Sequence, residues 1–287
     1  MIMEKLKSII ALAAVVLAAA SCGDNQATKG EEPNDDTPNI LVLYYSQTSN
    51  TKAVAQEIAT KLDADIEEIV MEDPYDEDFQ ATIERCKQDM EQGIVPDIQA
   101  VKADLSNYDV VFVGFPVWFG TYAPPVASFL KDADLSGKKI VPFCTFGSGG
   151  LESSVEDLAK AEPEAEILPG YGVRAARMEA MPDEVDNFLK ANGFVAGDFV
   201  RLDDFSELRP VSDVEAAVFD TAVEGYPMIH AKATEVASRS IPDGTEYLFT
   251  AVDLPRDDNQ HIPAIGEMKV YVTVIEGKRP VFTRVVR

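Results

Sequence analysis

The sequence predicts two domains: an α/β domain built on a doubly wound parallel sheet of five strands with helices on both faces, over residues 39–193, and a smaller C-terminal α+β domain over 210–287. Three observations predict the first. Short unbroken apolar runs, such as residues 40–43 and 110–115, alternate with segments of helical periodicity. Unbroken runs mark strands covered on both faces. Turns rich in hydroxyls, Pro or Gly follow three of these runs directly, where a strand would hand over to a helix.

The first 38 residues carry no fold. Lys5 and Lys7 precede an apolar run over 9–20, too short to span a bilayer comfortably. The run closes on Leu17-Ala18-Ala19-Ala20-Ser21-Cys22. Small residues directly before a cysteine resemble a bacterial lipobox. That resemblance implies cleavage before Cys22 and lipidation of its thiol. The chain would be exported and lipid-anchored to a bacterial membrane, on its periplasmic or cell-surface side. A plain secretory signal with an incidental cysteine is the alternative. Residues 23–38 hold almost nothing to bury and read as a disordered tether.

Residues 40–45 read as the first strand and 50–62 as the first helix. A second strand spans 64–70. A helix over 78–92 follows, with Phe79, Ile83, Cys86 and Met90 at spacings that would pack on the sheet. The third strand is 110–115. A loop over 116–125, forced by Pro and Gly, leads to a helix over 126–130. The fourth strand is 139–145 and its helix 151–160. A short fifth strand starts at 167, and a helix over 183–192 stops at Gly193. Residues 194–209 read as a connector. Residues 210–287 then form the smaller layer: a helix over 211–226, with Val214, Ala217, Val218 and Ala222 on one face, and strands over 229–237, 244–254, 268–276 and 279–286.

The three turns carry the chemistry. Ser46-Gln47-Thr48-Ser49-Asn50-Thr51 lies between the first strand and its helix. The first N–H groups of a helix have no partner within it, and its dipole places partial positive charge there. With added hydroxyls, such a turn can hold a phosphate monoester without any Lys or Arg, and none lies between Tyr44 and Thr51. The same residues also make an ordinary capped helix. Pro116-Val117-Trp118-Phe119-Gly120 follows the third strand and holds the single Trp. Aromatic rings in such a loop are better explained by ligand stacking than by packing. Thr145-Phe146-Gly147-Ser148-Gly149-Gly150 follows the fourth strand, and its glycines let backbone amides approach a planar ligand edge.

Together these motifs make residues 39–193 resemble the flavodoxins. Ser46-x-Thr48-x-Asn50-Thr51 is similar to their phosphate loop, Ser/Thr-x-Thr-Gly-x-Thr, except that Ser49 stands where that family mostly has Gly. The resemblance implies a strand order of 2-1-3-4-5 and FMN as cofactor. Its phosphate would sit in the first turn (Ser46, Gln47, Thr48, Ser49, Asn50, Thr51). Its isoalloxazine would lie between the second (Pro116, Val117, Trp118, Phe119, Gly120) and the third (Thr145, Phe146, Gly147, Gly149, Gly150). It implies electron transfer or oxidoreductase work with an unknown redox partner and no catalytic side chain, since the cofactor carries the chemistry. A cofactor-less interaction module on the same fold is the alternative. In the smaller layer, the helix-then-strands order and Gly244-Thr245-Glu246-Tyr247 resemble cystatin-like modules. The Gln-x-Val-x-Gly inhibitory loop is not matched, because Ser240-Ile241-Pro242-Asp243-Gly244 stands there.

Composition narrows the partners. The 287 residues are 46% apolar and carry a formal charge of −25, from 50 acidic and 25 basic residues. That balance argues against nucleic acid and against electrostatic docking on anionic lipid. Beyond Cys22 only Cys86 and Cys144 remain, which make no disulfide framework. No Cys/His cluster has metal-ligand spacing, and His230 and His261 stand alone as surface or loop residues.

Overall fold

Residues 38–75, 78–254 and 266–287 are described by a computed structural model. Cys22, the signal segment, the tether up to residue 37 and His261 lie outside the described residues. In chain order the first elements are β1 (Ile40–Tyr44), α1 (Asn50–Leu62), β2 (Asp65–Glu68), α2 (Phe79–Gln92), β3 (Val110–Trp118), β4 (Thr121–Tyr122), α3 (Pro124–Asp132) and β5 (Lys139–Phe146). There follow α4 (Leu151–Ala161), β6 (Glu166–Ile167), β7 (Tyr171–Arg174) and α5 (Met181–Ala191). The rest comprises β8 (Arg209–Pro210), α6 (Asp213–Val223), β9 (Ala231–Ile241), β10 (Gly244–Asp253), β11 (Glu267–Ile275) and β12 (Val281–Val286).

The first sheet runs β2-β1-β3-β5-β6, all parallel, with β7 pairing beside β5 beyond β6. β6 pairs with the start of β5 and β7 with its end, so the two form one broken fifth strand, interrupted at Pro169-Gly170. This is the predicted order 2-1-3-4-5. Successive strand residues face opposite sides, and that alternation divides the interior. Leu41, Leu43, Val111, Val113 and Phe115 meet Val126 and Phe129 of α3 and Leu158 of α4 in one core. Val42, Tyr44, Phe112, Val141 and Phe143 meet α1 and α5 in the other. α1 buries Thr51, Val54, Ala55, Ile58 and Ala59, a single stripe at helical spacing. Gly114 is required in the middle of β3, because a Cβ there would collide with the ring of Phe143.

Three local expectations shift. Residues 116–118 extend β3 instead of opening a loop. The chain turns on Phe119 and Gly120 alone, both at positive φ (52° and 86°), and returns as β4. That is the backbone a two-residue hairpin turn requires. Pro124 and Pro125 begin α3, where their missing N–H groups cost nothing. On α2 the buried residues are Thr82 and Cys86, whereas Phe79 is 70% and Met90 48% exposed.

The second sheet is an antiparallel meander, β12-β11-β10-β9, with the short β8 beside β9. Phe219 of α6 packs on Phe249 with ring centroids 5.4 Å apart, in a core completed by Val236, Val270, Val272 and Phe282. Val214 is exposed, so the face that α6 buries runs through Glu215 and Phe219. Within residues 240–244, Pro242 and Asp243 make the two-residue turn of the β9–β10 hairpin, with Asp243 at φ 60°. His230 lies exposed in the loop before β9. The described residues between 38 and 287 pack as one unit.

Glu215 opens α6 through a reciprocal cap with Ser212 and takes two hydrogen bonds from Arg209 (2.5 and 2.9 Å). The guanidinium holds its carboxyl down to about 2, assisted by Ser212. A carboxylate held below its unfolded value stabilises the fold above that value and loses the contribution as pH falls toward the folded one. The melting temperature should therefore drop between pH ~4.5 and ~2. In Glu215→Gln that part of the drop should be absent, and the fold should be weaker at neutral pH by about 1 kcal/mol, because glutamine keeps the cap but loses the charge that meets Arg209 and the helix dipole. Thermal denaturation across this range checks both.

Candidate functional site

The three turns meet because β1, β3 and β5 are neighbours in parallel register, so that their carboxyl ends point the same way. Tyr44 pairs with Gly114, Gly114 with Phe143, and Pro116 with Thr145. The Tyr45 N–H extends this register by donating to Gly114 O at 2.9 Å. Residues 46–51, 116–120 and 145–150 thus share one edge of the sheet, as general experience of such sheets, flavodoxin among them, leads one to expect.

In the first turn Ser49 adopts the left-handed conformation (φ 65°, ψ −5°) and makes no side-chain cap. The serine has taken up the backbone that glycine favours. Among the described residues, the N–H groups of Thr48, Ser49, Asn50 and Thr51 donate to nothing. The hydroxyls are partly engaged. Ser46 Oγ accepts from the Lys52 N–H (3.2 Å), and Thr48 Oγ1 accepts from Asn50 Nδ2 (3.3 Å). Gln47 Oε1 accepts from the Tyr45 hydroxyl at 2.6 Å. Thr51 is buried, and its hydroxyl meets that of Thr145 at 2.9 Å, tying the first turn to the third. The nearest cation in sequence, Lys52, pairs with Glu68 at 3.0 Å.

The second turn is aromatic. Trp118 is half-buried, with its ring edge-on to Tyr45 (6.0 Å) and Tyr75 (5.3 Å), while Phe119 is 54% exposed. Burial raises the pKa of both tyrosines, so neither titrates near neutrality. Arg85 does not join the turns. It pairs with Asp73 at 3.0 Å and lies over Tyr75, which separates it from Trp118.

In the third turn the backbone divides its work. The carbonyls are engaged: Gly147 O with Arg174 Nε (2.8 Å), Ser148 O with the Val285 N–H (2.6 Å), and Gly150 O with the Ser154 N–H (3.0 Å). The N–H groups of Gly147, Ser148, Gly149 and Gly150 donate to no described residue. Gly150 abuts the second turn, since a Cβ would lie 2.6 Å from Val117 Cγ1. Ser153 Oγ reaches across to Gly120 O at 2.5 Å. The predicted residues are therefore assembled together. Sequence reasoning missed Arg174, and it missed Tyr226, Phe282 and Val285 of the second layer. Arg174 could have been noticed as a cation at the carboxyl end of the fifth strand; the other three gave no signal.

The family model for flavodoxin matches residues 39–189. The chain belongs to the flavodoxin family. That match ends before the second layer, so the likeness to cystatins gains nothing from it. Among solved structures, the flavodoxin region is similar to a protein from Bacteroides eggerthii DSM 20697 assigned to the flavoproteins. The identity is 26%, with 54% of this chain and 97% of that one covered, at a TM-score of 0.48. A second such protein, from Bacteroides uniformis ATCC 8492, is 24% identical over 52% of this chain and 98% of that one, at a TM-score of 0.47. A flavoprotein from Lactobacillus acidophilus NCFM, in complex with FMN, is 25% identical over 47% and 93%, at a TM-score of 0.44. No curated protein matches the chain. Among the described residues no helix is long and apolar enough to cross a membrane.

The left-handed backbone at Ser49 costs a residue with a Cβ roughly 1–2 kcal/mol. Glycine would remove that cost and give back about 0.5–1 kcal/mol as chain entropy. Ser49→Gly should therefore stabilise the flavodoxin fold by roughly 0.5–1 kcal/mol in urea unfolding. A loss of stability would mean that the serine side chain makes a contact of its own.

Proposed function

We propose that the protein binds FMN in the three turns and works as an electron carrier or oxidoreductase. The observation that carries this reading is the set of N–H groups that have no partner among the described residues. They belong to Thr48–Thr51 at the start of α1 and to residues 147–150, on neighbouring strands of a flavodoxin fold. A flavin needs donors of this kind at both ends: several at its phosphate, and several along its pyrimidine edge, where the ring presents acceptors. Ser46, Gln47, Thr48, Ser49, Asn50 and Thr51 would hold the phosphate. Pro116, Val117, Trp118, Phe119 and Gly120 would cover the ring, and Thr145, Phe146, Gly147, Gly149 and Gly150 would border its polar edge. When bound, the flavin supplies the redox chemistry. The chain's residues orient it and exclude water, and no side chain need act as acid or base. The cofactor-less alternative loses its main sequence support, because Ser49 keeps the turn that glycine would make.

We further propose that the chain is exported and tethered by lipid at Cys22, with residues 23–38 letting the folded part stand off from the membrane. The lipobox-like end of the apolar run supports this. Cys22→Ala should leave the protein unprocessed or soluble; membrane fractionation unchanged from wild type would contradict the anchor.

The ligand assignment separates phosphate from ring. Losing one hydroxyl bonded to a charged oxygen costs about 1.5–3 kcal/mol, or roughly ten- to a hundredfold in affinity. Thr48→Ala and Thr51→Ala should each weaken FMN clearly more than riboflavin, which lacks the phosphate. Thr51→Ala also leaves the Thr145 hydroxyl without its partner, so its effect on riboflavin should exceed that of Thr48→Ala. Trp118→Ala should weaken both ligands alike. Dissociation constants for both flavins in the wild type and the three variants decide it. Equal loss of FMN and riboflavin in Thr48→Ala would make the phosphate assignment wrong.

A further inference from the structure

The second layer does not hang free of the proposed flavin site. Its last strand, β12, runs against the third turn. The Val285 N–H donates to Ser148 O at 2.6 Å. Gly149 lies so close beneath Val285 O that a Cβ there would collide with it. The Tyr226 hydroxyl stands 3.5 Å from where a Cβ of Gly147 would be. Arg284 faces Glu152 of α4 at 3.5 Å.

Arg174 joins the two layers. Its Nε donates to Gly147 O at 2.8 Å and its Nη1 to Phe282 O at 3.0 Å. The guanidinium lies 3.5 Å from the centroid of the Phe282 ring and 5.3 Å from that of Tyr226. A planar fork that bonds two carbonyls while stacking on a ring is a geometry that lysine cannot reproduce.

These contacts have a directional consequence. A trans peptide is planar and carries its C=O and the following N–H on opposite sides. Among the described residues all peptides are trans. Fixing Gly147 O on Arg174 therefore aims the Ser148 N–H away from that guanidinium, which Phe282 O of the second layer holds in place. Fixing Ser148 O on Val285 aims the Gly149 N–H away from β12. Glycines on either side of Ser148 would otherwise let these two peptides rotate at little cost. We propose that the C-terminal layer is a working part of the flavin site. Arg174 and β12 are its positioning elements, locking two peptides so that the Ser148 and Gly149 N–H groups face the ring of the bound flavin. This rests on the FMN reading above. It gives the second layer a function in cis: it pre-orients donors that the flavodoxin turn leaves free to rotate.

The test uses three variants of the full chain. Arg174→Gln removes the fork, Arg174→Lys keeps the charge without it, and Val285→Pro removes the N–H that Ser148 O accepts. Val285 lies on an edge strand with that N–H turned outward, where proline is tolerated. Each variant should bind FMN and riboflavin about tenfold more weakly, with the ratio between the two flavins unchanged, because the lost donors face the ring they share. Without any flavin, 15N relaxation should give order parameters near ~0.85 for the Ser148 and Gly149 N–H vectors in the wild type and below ~0.6 in the variants. Order parameters that stay at the wild-type value overturn the clamp, as does a loss confined to FMN or unchanged affinity for both flavins. A wild-type chain that takes up no flavin refutes the FMN reading instead, and the order parameters still decide whether the clamp exists.

Discussion

Three parallel strands held side by side in one register are the constraint on which the site depends. A turn can supply two or three donors, whereas a ligand with a phosphate at one end and a flat polar ring at the other needs sets of them several ångströms apart. Strands β1, β3 and β5 provide that spacing because they are neighbours in register, with Tyr44, Gly114 and Phe143 in one row. The row is close enough only because Gly114 has no side chain to displace the Phe143 ring. The Thr51–Thr145 hydroxyl pair then fixes the first turn against the third beneath the site.

Backbone groups do most of the work at this edge. The first turn contains no cation, and Lys52 beside it is paired with Glu68. Charge recognition is left to the N–H groups and dipole of α1. In the third turn the carbonyls of Gly147, Ser148 and Gly150 are engaged by Arg174, Val285 and Ser154, while the N–H groups of residues 147–150 have no partner among the described residues. The second layer is thereby coupled to the site through peptide planarity and not through a side chain of its own reaching the ligand. Burial lowers the pKa of Arg174, yet a guanidinium so far above neutrality keeps its charge.

Much of this was legible in the sequence, for identifiable reasons. Buried parallel strands are unbroken apolar runs, and helix α1 carries its stripe at 51, 54, 55, 58 and 59, so element types and order followed from periodicity. The three turns followed from their position after strands. What stayed hidden was set by tertiary contact. Pro116 extends β3 because Thr145 of β5 offers it a partner, and Val117 because Tyr122 of β4 does, despite a proline that alone suggests a loop. Phe79 and Met90 look like core residues by spacing, but α2 covers the sheet only through Thr82 and Cys86. Docking of β12 on residues 147–149 had no local signature, since Val285 and Phe282 read only as alternating strand residues.

On this account a flavin phosphate is held by neutral donors on a chain of charge −25. A phosphate bound by cations loses affinity as salt screens the attraction, whereas one bound by N–H groups on an acidic protein feels net repulsion that salt relieves. The deciding measurement is the dissociation constant of FMN, with riboflavin as reference, between about 20 and about 500 mM NaCl. FMN should bind as tightly or more tightly as salt rises, while riboflavin stays constant. A steady loss of FMN affinity with salt that riboflavin does not share, or failure to bind either flavin, would contradict it.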